Sequence, residues 1–595
     1  MAIAAERLAA LRAALVVAGV DGFVVPHADE HQSEYLPARA ERLAWLTGFT
    51  GSAGAAVVLA TRAAVFADGR YTLQVRREVD SGAWDICHLV EQPPADWLAT
   101  AAQSGMRIGY DPWLHTPAGL ERLAEGCRKA GATLVALAAN PVDAIWADQP
   151  PAPVTPAAPH DLAYAGRASA DKRADIAGRL AADGLDAAIV TQPDSIAWLL
   201  NVRGGDVAHT PLVLSFVILH ADATVDWFVD PAKLGPEMGL HLGNAVRVNP
   251  PAAFGPGLDR MAGKRVRACP DTAAAWVFER LAAAGAEIRR GPDPVTLPKA
   301  IKNEVELAGT RAAHRRDGAA LARFFAWLAP VAASGDLLES VAADKLRGFR
   351  AADPGFRDDS FDTISGAGPN GAVVHYRVSP ATDRRLAPGE LYLVDSGAQY
   401  PDGTTDVTRT VAVGTPDAEM RDRFTRVLKG HIAVASARFP AGTTGGQLDT
   451  LARQYLWQAG LDYDHGTGHG VGSYLAVHEG PQRISKVASG ARLAPGMIVS
   501  NEPGYYKEGA WGIRIENLVA VAALGAVPGG ERPLHGFETL TLAPIDRTLV
   551  DLALMTPAEV EWLDAYHARV AAEIGPLVDA KTRAWLAEVC RPLAG

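Results

Sequence analysis

The 595-residue sequence is poor in cysteine, which limits its redox and thiolate chemistry. It contains four cysteines, Cys87, Cys127, Cys269 and Cys590, and no two of them form a CxxC pair. A disulfide framework or a cysteine-based zinc site needs paired or clustered thiols. We therefore expect buried or unpaired thiols in a reducing compartment.

Long hydrophobic runs are also missing. No segment approaches the roughly eighteen apolar residues of a transmembrane helix, so no membrane partner is expected. Charged residues interrupt the alanine-rich N-terminus, unlike in a signal peptide. Leu8, Leu11 and Leu15 recur there at helical spacing and predict an amphipathic helix that ends near Gly19. We expect a cytoplasmic protein.

The sequence has no excess of positive charge. Lysine and arginine total 57 against 68 aspartate and glutamate residues, a net charge of −11. A protein that binds a nucleic-acid backbone needs a concentrated basic surface, so no nucleic acid is expected as a partner. Contents of 48% hydrophobic and 21% charged residues are those of a soluble globular protein.

Proline-rich segments divide the chain. Residues 149–156 have the composition of a semi-rigid linker, and a second group of prolines lies at residues 292–298. We predict three parts: an α/β domain at 1–150, a second α/β domain at 151–298, and a larger domain at 299–595. The last of these would end in an extension at about 530–595.

The first two parts resemble each other. Each has a helix that leads into a short strand, then an Ala-Trp-Leu triplet, then an apolar strand ending in aspartate. In the first part these features lie at residues 19–25, 44–46 and 66–68, and in the second part at residues 184–190, 197–199 and 227–230. Alternating helices and strands imply an α/β sheet domain. We infer a duplication in preference to a chance similarity, and we find no catalytic group of residues in either part.

Chemically active residues concentrate in the third part. Residues 390–395 predict a buried strand that ends in Asp395, residues 400–403 are typical of a turn, and residues 404–411 alternate like a returning strand. Such a hairpin can bring Asp395 and Asp406 side by side. Two carboxylates in an apolar setting cannot both stay ionised without a cation between them.

A second hairpin is predicted to repeat this arrangement. Residues 497–502 form a strand that ends in Glu502, Pro503 and Gly504 provide the turn, and residues 512–519 return. Strand alternation places Arg514 and Glu516 on one face. His469 is predicted to lie in the glycine-rich loop 465–472, where the backbone can approach a ligand closely.

Together these side chains form a candidate metal-binding set: Asp395, Asp406, His469, Glu502 and Glu516. Four carboxylates and one imidazole nearly neutralise two divalent cations. The oxygen-rich set favours manganese, with cobalt and zinc as alternatives, over a cysteine-type zinc site. A metal pair can activate a bridging water and polarise a carbonyl group for hydrolysis.

Longer motifs around these residues resemble the aminopeptidase P family of proline-specific peptidases. The similarity is carried by residues 395–410, 465–472 and 477–481 in the third part, by 31–35, 48–54 and 197–204 in the first two, and by 537–545 in the tail. It implies two creatinase-like α/β domains followed by an α+β "pita-bread" catalytic domain. The whole chain fits the long three-domain, cytosolic-type branch of that family.

The resemblance also implies roles for individual residues. The five side chains named above would bind the two metal ions, and Glu502 would in addition shuttle a proton. His375 and His478 would contact the substrate and stabilise the tetrahedral intermediate. His465 would line the proline pocket, and Arg514 would orient a metal ligand. The family further implies a homodimer that acts on peptides with proline at the second position.

Two alternatives remain open from the sequence. A prolidase-type enzyme on the same fold would cleave only dipeptides, whereas creatinase, which works without metal, would not need five intact ligands. A metal-free interaction module would have lost ligands, and this chain has all five. We therefore predict a metalloaminopeptidase that uses a hydroxide bridging two divalent ions.

Overall fold

A computed structural model describes residues 2–487 and 489–593. The chain divides into two compact units, residues 1–160 with 167–296, and residues 161–166 with 297–595. None of the helices within the described ranges is both long enough and apolar enough to cross a membrane.

The first part of the chain forms an α/β sheet domain. Its elements are α1 (Ala2–Ala18), β1 (Gly22–Pro26), α2 (Arg42–Thr47), β2 (Gly54–Leu59), β3 (Ala63–Ala67), α3 (Thr72–Glu78), β4 (Asp85–His88), α4 (Pro94–Ala101), β5 (Arg107–Tyr110), α5 (Pro117–Lys129), β6 (Thr133–Ala136) and α6 (Pro141–Ile145). The predicted first helix is confirmed. Leu8, Leu11 and Leu15 are buried, and Gly19 follows the helix at φ +67°, a conformation that glycine adopts without strain.

The second part forms a similar domain. Its elements are β7 (Ala158–Pro159), α7 (Leu162–Ala165), α8 (Ser169–Ala182), β8 (Ala187–Val190), α9 (Pro193–Leu200), β9 (Val202–Arg203), β10 (Phe216–His220), β11 (Val225–Phe228), α10 (Pro236–Leu242), β12 (Val246–Asn249), α11 (Phe254–Asp259), β13 (Arg265–Ala268), α12 (Ala275–Ala284), β14 (Glu287–Arg290) and α13 (Thr296–Ala300). Helix α7 and most of α13 belong to the second compact unit.

The two sheets have the same topology, as a duplication predicts. Their strand orders are β4-β3-β2-β1-β5-β6 and β12-β11-β10-β8-β13-β14, which correspond strand for strand. In each sheet the first strand is antiparallel to the next strand of the series and parallel to the fifth. The predicted α/β class is therefore confirmed for both domains.

The second unit contains most of the remaining helices and strands. They are α14 (Glu304–Ala332), α15 (Glu339–Ala351), β15 (Asp358–Asp359), β16 (Ile364–Ala367), β17 (Leu391–Ser396), β18 (Ala398–Tyr400), β19 (Gly403–Thr404), β20 (Val407–Ala412), α16 (Ala418–Ala435), β21 (Phe439–Pro440), α17 (Gly445–Trp457), β22 (Gly468–Gly470), β23 (Glu479–Ile484), β24 (Ile498–Asn501), β25 (Gly504–Lys507), β26 (Trp511–Arg514), β27 (Asn517–Ala526), β28 (Pro533–Thr539), α18 (Pro557–Ile574) and α19 (Ala580–Val589). Short 3-10 helices lie at Ala38–Ala40, Pro231–Lys233, Pro251–Ala253, Gly368–Ala372, Arg547–Leu549, Leu552–Leu554 and Gly575–Leu577.

Helices cover sheets around several apolar clusters in this unit. The six-stranded sheet has the order β21-β28-β27-β24-β22-β23, and a three-stranded sheet has the order β16-β17-β20. Phe424, Leu428 and Leu456 from α16 and α17, with Leu563 from α18, are buried in the same apolar cluster. Each such side chain contributes about 1.5–3 kcal/mol by leaving water. This packing holds the strands that carry the candidate metal ligands.

The two predicted hairpins have different outcomes. The first is confirmed: β17 pairs with β20, and Asp395 lies opposite Thr408. In the second, the predicted turn at residues 503–504 is wrong, because the chain continues into the β25–β26 hairpin and turns at residues 508–510. Asn501 still pairs with Asn517, so Glu502 and Glu516 leave the sheet at the same place. The predicted proximity of the two glutamates therefore survives the error.

Candidate metal centre

The ends of the two hairpins bring carboxylates together around His469. Ligand atoms of Asp406, His469 and Glu516 all lie within 4.8 Å of one another. Nε2 of His469 is 3.4 Å from Oδ2 of Asp406 and 3.5 Å from Oε1 of Glu502. Distances of this size suit side chains that bind the same cation, because the ligand atoms around one ion do not contact each other directly.

The ring of His469 is oriented by its neighbours. Nδ1 lies 3.0 Å from the carbonyl oxygen of Gly470, which can only accept, so Nδ1 carries a proton and Nε2 faces the carboxylates, where it can bind a cation or, without one, carry a second proton. The backbone N–H of His469 donates to Oγ of Ser500 at 2.9 Å. The predicted loop position of His469 is wrong, because it lies in strand β22, which pairs with β23 and β24.

Two carboxylate oxygens of this group are buried without a partner. Within the described part of the chain, Oδ1 of Asp395 and Oδ1 of Asp406 have no hydrogen-bond donor. A buried ionised oxygen in that state is strongly destabilising unless a cation satisfies it. Asp395 and Asp406 are 7% and 4% exposed, so solvent cannot supply the missing interaction. The orphaned oxygens therefore fit a site built to bind metal ions.

The pKa values show how strongly these groups repel one another in the absence of a metal. Burial raises the pKa of Asp395 to about 6, although the guanidinium of Arg514 acts against this shift. Burial and the neighbouring Asp406 and Asp395 raise the pKa of Glu516 well above its usual range. Burial also raises the pKa of Glu502. The pKa of His469 rises to about 9, because its contacts with Asp406 and Glu502 outweigh its burial.

A chain of polar contacts runs from Asp395 to His465. Nη2 of Arg514 donates to Oδ2 of Asp395 at 2.6 Å, and Nη1 donates to the hydroxyl of Tyr506, also at 2.6 Å. That hydroxyl lies 2.8 Å from Nε2 of His465. Because Nδ1 of His465 donates to the carbonyl of Gly466, Nε2 accepts from Tyr506. Arg514 is thus in contact with a candidate ligand, Asp395.

The sequence analysis missed Tyr506. Its ring lies on β25, where Tyr506 pairs with Gly512, and its hydroxyl joins Arg514 to His465. A tyrosine in a short hairpin has no distinguishing local pattern. A correct assignment of the β25–β26 hairpin, which places Tyr506 and Arg514 on paired strands, is the signal that could have indicated it.

The remaining predicted residues lie at the edges of this group. The ring of His478 packs against that of His469, with centroids 4.3 Å apart in an edge-to-face arrangement. His375 is half-buried and directly follows Val374, whose carbonyl accepts from Nη2 of Arg514 at 3.3 Å. Nδ1 of His465 is 3.9 Å from Oε2 of Glu502. His478 and His465 are therefore linked to the cluster of carboxylates by contacts of their own, and His375 is linked through its neighbour Val374.

Comparisons with known protein families account for most of the chain. The profile of Metallopeptidase family M24 matches residues 308–523, and that of the C-terminal region of the same peptidases matches residues 533–593. The profiles of two Creatinase/Prolidase N-terminal domains match residues 7–144 and 148–306. Both α/β domains and the unit with the candidate metal centre are therefore covered.

Individual relatives are similar over nearly the whole length. Aminopeptidase P2 of Arabidopsis thaliana is 42% identical, with 97% of this chain and 86% of that protein aligned. A probable Xaa-Pro aminopeptidase P of Aspergillus flavus is 40% identical over 99% and 93% of the two chains. The crystal structure of an X-prolyl aminopeptidase from Caenorhabditis elegans, described as a cytosolic enzyme with a di-nuclear active site, superposes with a TM-score of 0.95 at 34% identity, covering 99% and 100% of the chains.

Proposed function

The chain belongs to metallopeptidase family M24, in the branch with creatinase/prolidase-type N-terminal domains, and on this premise we propose how its residues act. It is an Xaa-Pro aminopeptidase, which removes the first residue from peptides whose second residue is proline. Near full-length similarity to Xaa-Pro aminopeptidases favours this activity over that of a prolidase or a metal-free interaction module. The observation that carries it is the group of Asp406, His469 and Glu516, which has the composition of a metal site.

We propose that two divalent ions are held by Asp395, Asp406, His469, Glu502 and Glu516. When bound, they supply a water of lowered pKa and polarise the scissile carbonyl. The orphaned oxygens of Asp395 and Asp406 support this assignment. Manganese is the ion we propose, because oxygen donors dominate the set, and cobalt and zinc are the alternatives.

The residues around the metal ligands have separate tasks. Glu502 is half-buried, and Ser500 donates to its Oε1 at 3.2 Å, so we propose that its carboxylate holds and delivers the proton that moves during hydrolysis. His478 and His375 stabilise negative charge on the substrate carbonyl oxygen. Arg514 fixes the orientation of Asp395 through their 2.6 Å contact.

Selection of proline follows from the chemistry of its amide. Proline's nitrogen carries no hydrogen, so a site for Xaa-Pro needs no acceptor at that position. We propose that His465, held by Tyr506, forms the polar edge of the proline pocket. The free ammonium of the first residue is held by the acidic side chains, which limits cleavage to one residue.

Three further features are proposals. We propose domain boundaries near residues 150 and 298; the family profiles divide the chain at residues 144–148 and 306–308. We propose a cytoplasmic location, as for the cytosolic Caenorhabditis elegans enzyme. A homodimer is proposed from the family resemblance, and sedimentation at micromolar concentration tests it, with a pure monomer as the contrary result.

The activity is tested with a matched set of peptides. Arg-Pro-Pro should lose its arginine, whereas the acetylated peptide should resist because it lacks the ammonium group. Arg-Ala-Pro should be cleaved at least about a hundredfold more slowly, since positioning by the ring contributes several kcal/mol. Dialysis against a chelator should abolish turnover, and manganese should restore it at about two ions per chain. Equal cleavage of all three peptides, or full activity without metal, would contradict the proposed function.

A further inference from the structure

Behind the candidate metal centre lies a buried cluster of two lysines and one glutamate. Nζ of Lys299 is 2.7 Å from Oε2 of Glu479, and Nζ of Lys302 is 2.5 Å from Oε1. Their side chains are 1%, 1% and 0% exposed. Lys302 also donates to the carbonyl oxygen of Lys299 at 3.1 Å. Charged groups are almost never this deeply buried unless they are paired, so the cluster calls for an explanation.

The cluster connects segments that carry the proposed active-site residues. Glu479 directly follows His478 and opens β23, while both lysines precede α14. The backbone N–H of Lys302 donates to the carbonyl of Gly496 at 3.0 Å, and Ile301 pairs with Met497. Gly496 and Met497 lead into β24, which ends just before Glu502. One buried ion-pair cluster therefore joins the His478 segment to the strand that leads to Glu502.

Glu479 also lies against the strand that carries His469. It pairs with Gly470, where the ladder between β22 and β23 shifts its register. A Cβ at Gly470 would lie 2.3 Å from the carbonyl oxygen of Glu479, so the two backbones are in close contact. Moving Glu479 would consequently move both His478, its neighbour in sequence, and the backbone beside His469. The rings of these histidines are in contact with a centroid distance of 4.3 Å.

We propose that Lys302 and Glu479 are positioning residues for catalysis: their buried ion pair sets the place of His478 relative to His469 and Glu502. The proposal rests on the proposed peptidase function. His478 acts on charge that develops in the transition state, and a displacement there lowers kcat more than it changes KM. A purely structural ion pair would lower stability and leave kcat unchanged.

The test uses the full-length, manganese-loaded protein with Arg-Pro-Pro as substrate. Lys302→Met and Glu479→Gln each break the pair, and we expect kcat to fall by about tenfold to a hundredfold, as for other groups that orient catalytic residues. KM should change by less than about threefold, and bound manganese should stay near two ions per chain. Lys302→Arg keeps the charge and should retain most of kcat.

Lys429→Met is the matched control. Lys429 and Glu559 form a comparable ion pair at 2.5 Å, with side chains 10% and 11% exposed, between α16 and α18 of the same unit. This variant should lose thermal stability and keep kcat. Should Lys302→Met fail to fold, Glu479→Asp preserves the charges while withdrawing the carboxylate by one methylene, and we expect it to lose about tenfold in kcat.

The outcomes separate the two ideas. Suppose that the wild type turns over Arg-Pro-Pro and that kcat is unchanged in Lys302→Met, or in Glu479→Asp if Lys302→Met does not fold. This result would overturn the positioning role and leave the peptidase function intact. Absence of wild-type turnover on any Xaa-Pro peptide would overturn both. A loss of kcat in the cluster variants, with normal kcat in Lys429→Met and Lys302→Arg, supports the proposal.

Discussion

Two groups of aspartates, one in each compact unit, are buried in opposite ways. In the N-terminal unit, Asp206 is fully satisfied: Lys233 contacts Oδ2 at 2.5 Å, the N–H of Leu214 donates to the same oxygen at 2.8 Å, and Thr155 donates to Oδ1 at 2.7 Å. In the catalytic unit, Asp395 and Asp406 each keep one buried oxygen without a donor among the described residues. The first arrangement is complete within the protein, whereas the second leaves two oxygens that fit a bound cation.

One histidine from each unit, His160 and His469, shows a similar contrast. Burial and the nearby charges of Arg203 and Lys172 lower the pKa of His160 to about 2. The carboxylates around His469 raise its pKa to about 9. The two histidines therefore titrate in opposite directions: burial and nearby cations disfavour the charged form of His160, whereas the carboxylates around His469 outweigh its burial.

The largest expected effect comes from removing a proposed ligand. Asp406→Asn should lower turnover of Arg-Pro-Pro by about a thousandfold or more, because the metal pair supplies several kcal/mol of transition-state stabilisation. The variant should stay folded, since one of several mutually repelling carboxylates becomes neutral. Kinetics and metal analysis measure both effects. Asp464→Asn, an aspartate with a side chain 80% exposed, is the control and should remain fully active; full activity of Asp406→Asn would refute the ligand assignment.

Breaking the complete ion pair should affect stability and not chemistry. Lys233→Met leaves Asp206 buried beside an apolar group, and we expect a loss of about 3–5 kcal/mol in the unfolding free energy of the N-terminal unit. Denaturant unfolding measures this loss, and kcat per folded molecule should be unchanged. Arg280→Met breaks an exposed pair, with side chains of Arg280 and Asp259 41% and 44% exposed, and should leave the unfolding free energy nearly unchanged. Equal losses in both variants would contradict the comparison.

Acid should destabilise the N-terminal unit through His160. Its folded-state pKa lies below the unfolded value, so the unfolded chain binds the extra proton and stability falls as the pH drops from about 6.5 toward 2. The loss is at most about 1.4 kcal/mol per pH unit, or about 2 kcal/mol between pH 6.5 and 5. Denaturant unfolding of His160→Gln over this range should show a shallower pH dependence. A slope equal to that of the wild type would show that His160 titrates normally.

The smallest expected effect concerns the polar chain inside the active site. Tyr506→Phe removes the hydroxyl between Arg514 and His465, while Arg514 keeps its 2.6 Å contact with Asp395. We expect turnover of Arg-Pro-Pro to fall by about tenfold and metal content to stay unchanged, as for other groups that orient active-site residues. Tyr505→Phe, in the neighbouring position on β25, is the control. Loss of metal in Tyr506→Phe would show that the tyrosine supports the ligands directly.

Local sequence patterns predicted much of the catalytic unit. The β17–β20 hairpin was predictable because its strands and turn lie within about twenty residues and use standard turn chemistry. The position of His469 was predicted wrongly because the glycines around it are typical of a loop. In the folded unit, Gly468 and Gly470 allow close approach of neighbouring strands, since a Cβ at Gly468 would lie 1.9 Å from the carbonyl oxygen of Ser500.

The amino-acid sequence alone determined the residue types, the periodicity of the helices and strands, the repetition of the α/β domains and the composition of the candidate metal-binding set. These properties depend on spacing over short stretches, where backbone geometry dictates which side chains share a face. The tertiary structure decided which distant groups meet. Lys302 and Glu479 are 177 residues apart, and Arg514 and Asp395 are 119 apart. Such pairs form only when the packing of the whole unit brings them together, because no local pattern encodes a contact between distant segments.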